Sequence, residues 1–112
     1  MGLYSLDVVD AVGTETASGC VVLSIFDSWD WSDEREHLLA LQSKFNSYFA
    51  FVESGQLHET YPASEGKSLR IDLISRYPLP IVAVDFLNIA EATAMELAIS
   101  LSWKTHAAAI ST

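Results

Sequence analysis

The twelve residues FDSWDWSDEREH, 26–37, concentrate side chains that can do chemistry. They carry five carboxylates, two indoles and one imidazole: Asp27, Trp29, Asp30, Trp31, Asp33, Glu34, Glu36 and His37. Such a set can bind a metal ion, act as an acid–base pair, start a helix, or face a basic partner. The spacing of the residues distinguishes between these alternatives.

A metal site does not fit the spacing. Asp27, Asp30 and Asp33 recur every three residues, but a calcium loop that began at Asp27 would need oxygen ligands where Trp29 and Trp31 stand. A zinc site needs cysteine and histidine at characteristic intervals, and no such interval relates Cys20, His37, His58 and His106. We therefore predict no metal and no cofactor.

Catalytic residues are not indicated either. Acid–base chemistry needs two groups in one pocket with separated pKa values, and nothing in the sequence pairs two of the acids. Cys20 with His37 or His58 would be a nucleophile and a base, but Cys20 begins an apolar run and is interpreted as a small buried residue. The loop GTETASG, 13–19, lacks a phosphate-binding pattern. We predict a non-enzymatic protein.

The remaining two roles, a helix start and a surface that faces a basic partner, combine in one hypothesis. Asp33 is placed to cap a helix, with Glu36 three residues later. Of the two tryptophans, we expect Trp31 to fill the end of the core and the other to be exposed among acids, where an indole can anchor a partner. The predicted partner-binding residues are Asp27, Trp29, Asp30, Trp31 and Glu34.

The charge of the chain narrows the class of partner. Its formal net charge is −9, and residues 1–36 hold eight acids and one base. Nucleic acid needs clustered lysine and arginine, so it is not expected as a partner, whereas a basic protein is. The sequence shows no signal peptide and no run long enough to span a membrane, and its single cysteine fits a reducing compartment. We predict a cytoplasmic protein without a membrane partner.

Hydrophobic periodicity predicts one domain over residues 1–112. Two runs rich in β-branched residues, 6–12 and 20–26, predict a β-hairpin, and an apolar stripe predicts a helix over 34–53. Segments 56–61 and 68–77 predict a second hairpin, and Asp85 is expected to cap a second helix. Residues 99–103 alternate and allow a fifth strand, and 106–112 are expected to fray.

The order β-β-α-β-β-α, with a possible final strand, predicts an α+β fold. Hairpins make antiparallel neighbours, and each helix must bury its stripe on a sheet. We therefore expect a single antiparallel sheet of four or five strands with both helices on one face.

Several motifs resemble a family of small bacterial proteins classed as a domain of unknown function. They are LDVVDAVG, the acid-tryptophan link before HLLALQSKFNSY, the ESG helix end, and LRIDLISRYPLP, within residues 6–80. Some similar small acidic proteins are described as immunity proteins beside secreted toxins. The resemblance implies a protein partner, and the leading hypothesis is an immunity protein that neutralises a basic toxin domain. A self-associating or accessory domain, including a homodimer, is the alternative, and a carboxylate-dependent enzyme ranks last.

Overall fold

The structure, a computed structural model, describes residues 2–106. Within them the chain forms four strands and three α-helices, with two short 3-10 turns. The elements are β1 Ala11–Thr14, β2 Val21–Asp27, α1 Glu34–Glu53, α2 Gln56–Thr60, β3 Leu69–Ser75, α3 Ile81–Glu96 and β4 Ile99–Thr105. The bounds of α1 match the predicted helix, and the possible final strand is present and two residues longer. The expected frayed tail lies outside the described residues, except for His106.

The strands form one mixed sheet in the order β1-β2-β3-β4. The β1 strand is antiparallel to β2, whereas β2, β3 and β4 are all parallel. The α+β class with a four-stranded sheet is thus confirmed, and the purely antiparallel arrangement is wrong. The reason is that α1 joins β2 to β3 and α3 joins β3 to β4, and a helix that returns the chain to the same end makes neighbours parallel.

The error in the predicted topology comes from segment 56–61, which contains the helix α2, Gln56–Thr60, and no strand. Gly55 ends α1 and precedes α2 with a φ of 83°, a left-handed conformation that glycine adopts without strain. The chain therefore turns and resumes a helix, and Leu57 becomes fully buried. Without a strand at 56–61, the predicted hairpin between this segment and 68–77 does not form.

The start of α3 also differs from the prediction. The helix begins at Ile81, directly after Pro80, whose ψ of 166° is extended. Proline suits this boundary because its missing N–H would have no partner in the first turn. Asp85 therefore lies inside the helix, exposed on its surface, and does not cap it.

The core lies between the sheet and the two long helices. Leu23, Ile71 and Leu101 pair across β2, β3 and β4 and are buried on the helix side. The rings of Phe45 in α1 and Phe86 in α3 lie 5.9 Å apart, so the two helices pack side by side. Three further apolar side chains of this core are also buried: Leu41, Phe49 and Leu73.

The N-terminal segment is held by a buried ion pair. The Lys44 ammonium, fully buried in α1, donates to the carbonyls of Ser5 and Val8 and to the Asp10 carboxylate at 2.8 Å. Asp10 in turn accepts from the N–H of Phe26, a bond that a longer β1 would make. This explains why β1 begins at Ala11 and the predicted strand 6–12 is mostly not a strand.

Candidate functional site

The link between β2 and α1 is built by its aspartates, each of which caps the backbone that follows. Asp27 Oδ1 accepts from the N–H of Trp29 at 3.1 Å, and Asp30 Oδ1 accepts from the N–H of Ser32 at 3.1 Å. Asp33 Oδ1 accepts from the N–H of Glu36 at 3.0 Å and caps α1, as predicted. The three-residue repeat of aspartates is therefore a series of local turns, which short acidic side chains favour.

A buried pair between Asp27 and His37 anchors this link to the sheet. His37 Nε2 lies 2.5 Å from Asp27 Oδ2, and each side chain is 1% exposed. His37 Nδ1 lies 2.9 Å from the carbonyl oxygen of Asp30. A carbonyl can only accept, so Nδ1 carries a hydrogen and donates it. A second proton must then lie between Nε2 and the carboxylate, which makes this contact a hydrogen bond.

Both tryptophans pack around His37. The Trp31 ring stacks on the imidazole at 3.6 Å between centroids with an interplanar angle of 15°, and the Trp29 ring is tilted at 5.6 Å. The indole N–H groups of both are buried without a partner among residues 2–106, so packing holds these rings. The expectation that one tryptophan is exposed is wrong, because both are half-buried against the core.

A cleft of about 370 Å³ opens beside this cluster. Three exposed carboxylates line it, together with three aromatic rings and smaller polar groups, and its lining contains no lysine or arginine. The lining residues are Tyr4, Ser28, Trp29, Asp30, Ser32, Asp33, Glu36, His37 and Tyr77. We call this surface the acidic corner. Hydrogen bonds from the Ser32 hydroxyl and N–H lower the pKa of Asp30, so its carboxylate stays ionised.

The predicted partner-binding residues are only partly brought together. Trp29 and Asp30 line the cleft, whereas Asp27 is buried beneath it and cannot touch a partner. Trp31 stacks on His37, and Glu34 is exposed but lines a different groove, between α1 and α3.

Sequence reasoning missed two tyrosines of the acidic corner. Tyr4 is 79% exposed and packs edge-on against Trp29 at 5.2 Å, and Tyr77 is 38% exposed. They come from the N-terminal segment and from the turn after β3. No local sequence pattern predicts this role for either tyrosine, because both are distant from residues 28–37 in the sequence and only the fold brings them to the acidic corner.

The His37–Asp27 pair does not resemble a catalytic dyad. Both ring nitrogens are engaged, so no lone pair remains to take a proton from a substrate. Cys20 precedes β2 and Asp27 ends it, so a seven-residue strand separates the thiol from the imidazole. In the part of the chain that the structure describes, no group of three or more metal-ligating residues is placed to hold an ion.

A second charged cluster lies on the face of the sheet opposite the helices. Arg70 donates to Glu15 at 2.8 Å and to Asp72 at 2.7 Å, and Ser102 donates to Asp72. The bond from Arg70, with one from Ser18, lowers the pKa of Glu15 to about 2. The charges of this cluster are mutually paired, unlike those of the acidic corner.

The fold and the site together define a small α+β protein with an acidic, aromatic cleft at one end of its sheet. The chain matches the model of a family of unknown function, DUF6572, over residues 1–107, and it belongs to that family. No curated protein and no solved structure matches it significantly. No helix within residues 2–106 combines the length and the apolar character needed to cross a membrane.

Proposed function

We propose that this chain is a non-enzymatic protein-binding domain whose acidic corner binds a basic partner. The observation that carries the proposal is the lining of the cleft: Tyr4 is 79% exposed beside the carboxylates of Asp30, Asp33 and Glu36, with no base among them. Exposed aromatic rings supply contact area at an interface, and surrounding acids favour a cationic partner.

The backbone of the corner supports the same proposal because it is organised before any partner arrives. The bonds from Asp27, Asp30 and Asp33, together with the buried His37, fix the link between β2 and α1. A surface that is already ordered loses little conformational entropy on binding. The acids then act through long-range attraction, which raises the association rate and weakens with salt.

The particular form we propose is an immunity protein that neutralises a toxin domain. A nuclease toxin needs a basic cleft for its substrate, and an acidic corner of this kind can occupy that cleft. The test is co-expression with the toxin domain encoded beside the gene, scored by growth. A neighbouring gene that encodes no toxin, or co-expression that fails to restore growth, rejects this form and leaves the broader binding proposal to the next test.

The broader proposal is tested with a hexa-arginine peptide as a basic probe, titrated at low and high salt. The double variant Asp30→Asn, Glu36→Gln should weaken binding about tenfold, which corresponds to about 1.4 kcal/mol. The control Glu59→Gln, Glu65→Gln removes the same charge from exposed positions away from the cleft lining. If both pairs weaken binding equally, the acidic corner has no special role and the proposal fails.

Substitutions at two residues of the acidic corner should affect stability and binding separately. Asp33→Ala should lower the free energy of unfolding by about 0.5–2 kcal/mol, because it removes the cap of α1. Tyr4→Ala should leave stability nearly unchanged, since the ring is mostly exposed, but should speed dissociation of the bound peptide. A Tyr4→Ala variant that binds as the parent does would remove Tyr4 from the proposed interface.

A further inference from the structure

The strand β4 leaves one edge of the sheet unpaired among the described residues. The N–H of His106 donates to the carbonyl of Ser75, so the even-numbered residues of this parallel ladder face β3. The odd-numbered residues therefore direct their N–H and C=O groups away from the sheet. They are Ile99, Leu101, Trp103 and Thr105. Such a row is a template for another strand.

The edge carries few of the features with which monomeric proteins block such pairing, and a single lysine is the exception. The sequence of β4, ISLSWKT, contains no proline and no acid, and Lys104 near its end is the one charged residue. In a chain of net charge −9 this matters, because a second copy can approach β4 without carboxylates of the two strands meeting.

Apolar side chains of α3 border the same edge. Phe86 faces α1, where it contacts Phe45 at 5.9 Å. At 3.6 residues per turn, Met95 lies half a turn away from Phe86 around the helix and points away from α1. Since α3 packs on β4, this flank lies beside the free edge. Met95 is 70% exposed, and Ile81 on the first turn is 77% exposed.

We propose that a second copy of this chain pairs antiparallel with β4 around a two-fold axis at Ser102. In this register all four outward-facing residues of each strand form hydrogen-bonded pairs, and Leu101 lies opposite the second copy's Trp103. Lys104 lies opposite the second copy's Ser100. The result is one continuous eight-stranded sheet.

The same axis brings the α3 helices together in antiparallel orientation. Ile81 lies at the end of the sheet where β4 finishes, and Met95 lies where β4 begins. The symmetry therefore sets Ile81 of one copy beside Met95 of the other, at both ends of the interface. Two of the most exposed aliphatic side chains of the protein are thereby covered.

This dimer differs from partner binding at the acidic corner in its response to salt. Two copies of charge −9 repel each other, so added salt should strengthen the dimer, whereas it should weaken binding of a basic partner. The two proposals use different residues and can fail separately.

Sedimentation velocity over a hundredfold range of protein concentration tests the dimer. The parent should dimerise reversibly, more tightly at high salt. Met95→Glu should raise the dissociation constant at least tenfold, and Thr105→Pro, which removes one outward N–H at the edge, should also raise it. Circular dichroism establishes that each variant is folded.

Ile89→Glu is the matched control, because Ile89 is 71% exposed on the same helix but lines the groove between α1 and α3. It should leave the dissociation constant within about twofold of the parent value, a difference small on the free-energy scale of binding. A parent that is monomeric throughout would overturn the proposal. So would a dimer that Ile89→Glu dissociates and Met95→Glu does not, since that result assigns the interface to the groove.

Discussion

The Asp27 carboxylate and the His37 imidazole lie 2.5 Å apart beneath the acidic corner, and each is 1% exposed. Removing one member leaves the other buried without its partner. We expect His37→Leu to lower the free energy of unfolding by about 3–5 kcal/mol, measured by denaturant unfolding.

The double variant Asp27→Asn, His37→Leu distinguishes a buried charge from lost packing. Because it no longer buries a carboxylate, it should be more stable than His37→Leu alone. A His37→Leu variant within about 1 kcal/mol of the parent would show that the pair does not hold the link.

Phe45→Ala should open a cavity at the centre of the core. The ring is 1% exposed and contacts both Phe49 and Phe86, so its loss should cost about 3–5 kcal/mol. Leu39→Ala on the same helix is the control, because Leu39 is 53% exposed and should change the unfolding midpoint little. Equal midpoints for the two variants would contradict the assigned core.

Lys44→Met should release the N-terminal segment as well as destabilise the protein. It leaves the buried Asp10 carboxylate without its cation, at a cost of about 3–5 kcal/mol. The N–H of Phe26 donates a hydrogen bond to the Asp10 carboxylate, so its hydrogen exchange should accelerate in this variant. Lys67→Met, at an exposed position, should change neither the stability of the protein nor the exchange rate at Phe26. Unchanged exchange at Phe26 in the Lys44 variant would show that the ion pair does not hold this segment.

The Glu15–Arg70 pair predicts a response at acid pH. Glu15 has a pKa of about 2 in the fold against an ordinary value of 4.5, so it favours the folded state fully above about pH 4.5. That contribution falls as the pH drops from 4.5 and is lost once the pH passes below about 2. Carboxyl NMR titration should place the midpoint of Glu15 near 2 in the parent.

Substitution of the two nearby bases separates the causes of this depressed pKa. Arg70→Met should raise the pKa of Glu15 toward 4.5, because Arg70 supplies its largest interaction. Lys104→Met should move it far less, since Lys104 acts only through weak long-range attraction. A larger shift from Lys104→Met would mean that the Arg70 bond is not formed in solution.

The sequence predicted the elements with a long periodicity better than their arrangement. The helix α1 and its cap at Asp33 were predictable because twenty residues carry one apolar stripe and the capping chemistry is local. Segment 56–61 has one buried residue, Leu57, which fits a strand as well as a helical turn. The direction of β3 depended on that choice, so the misreading of one short segment accounts for two strand pairings that are parallel rather than antiparallel.

The burial of His37 and Lys44 could have been predicted from the sequence, although their partners could not. His37 and Lys44 fall on the same side of α1 as Leu41 and Tyr48, so the helical spacing alone places them in the core. What could not be read was the partner of each, because Asp10 and Asp27 lie in other elements. A charged residue on an apolar stripe therefore predicts a buried pair without identifying it.

The parallel arrangement of β2, β3 and β4 has a consequence for the speed of folding. Val21 pairs with Leu69, and Leu69 with Ile99, so the first pairing joins residues separated by α1 and α2, and the second joins residues separated by α3. The β1–β2 hairpin, in contrast, closes through a short loop. Because loops must close before distant contacts stabilise them, the hairpin and the helices should form first. Docking of β3 between its two neighbours should then limit the folding rate of the protein.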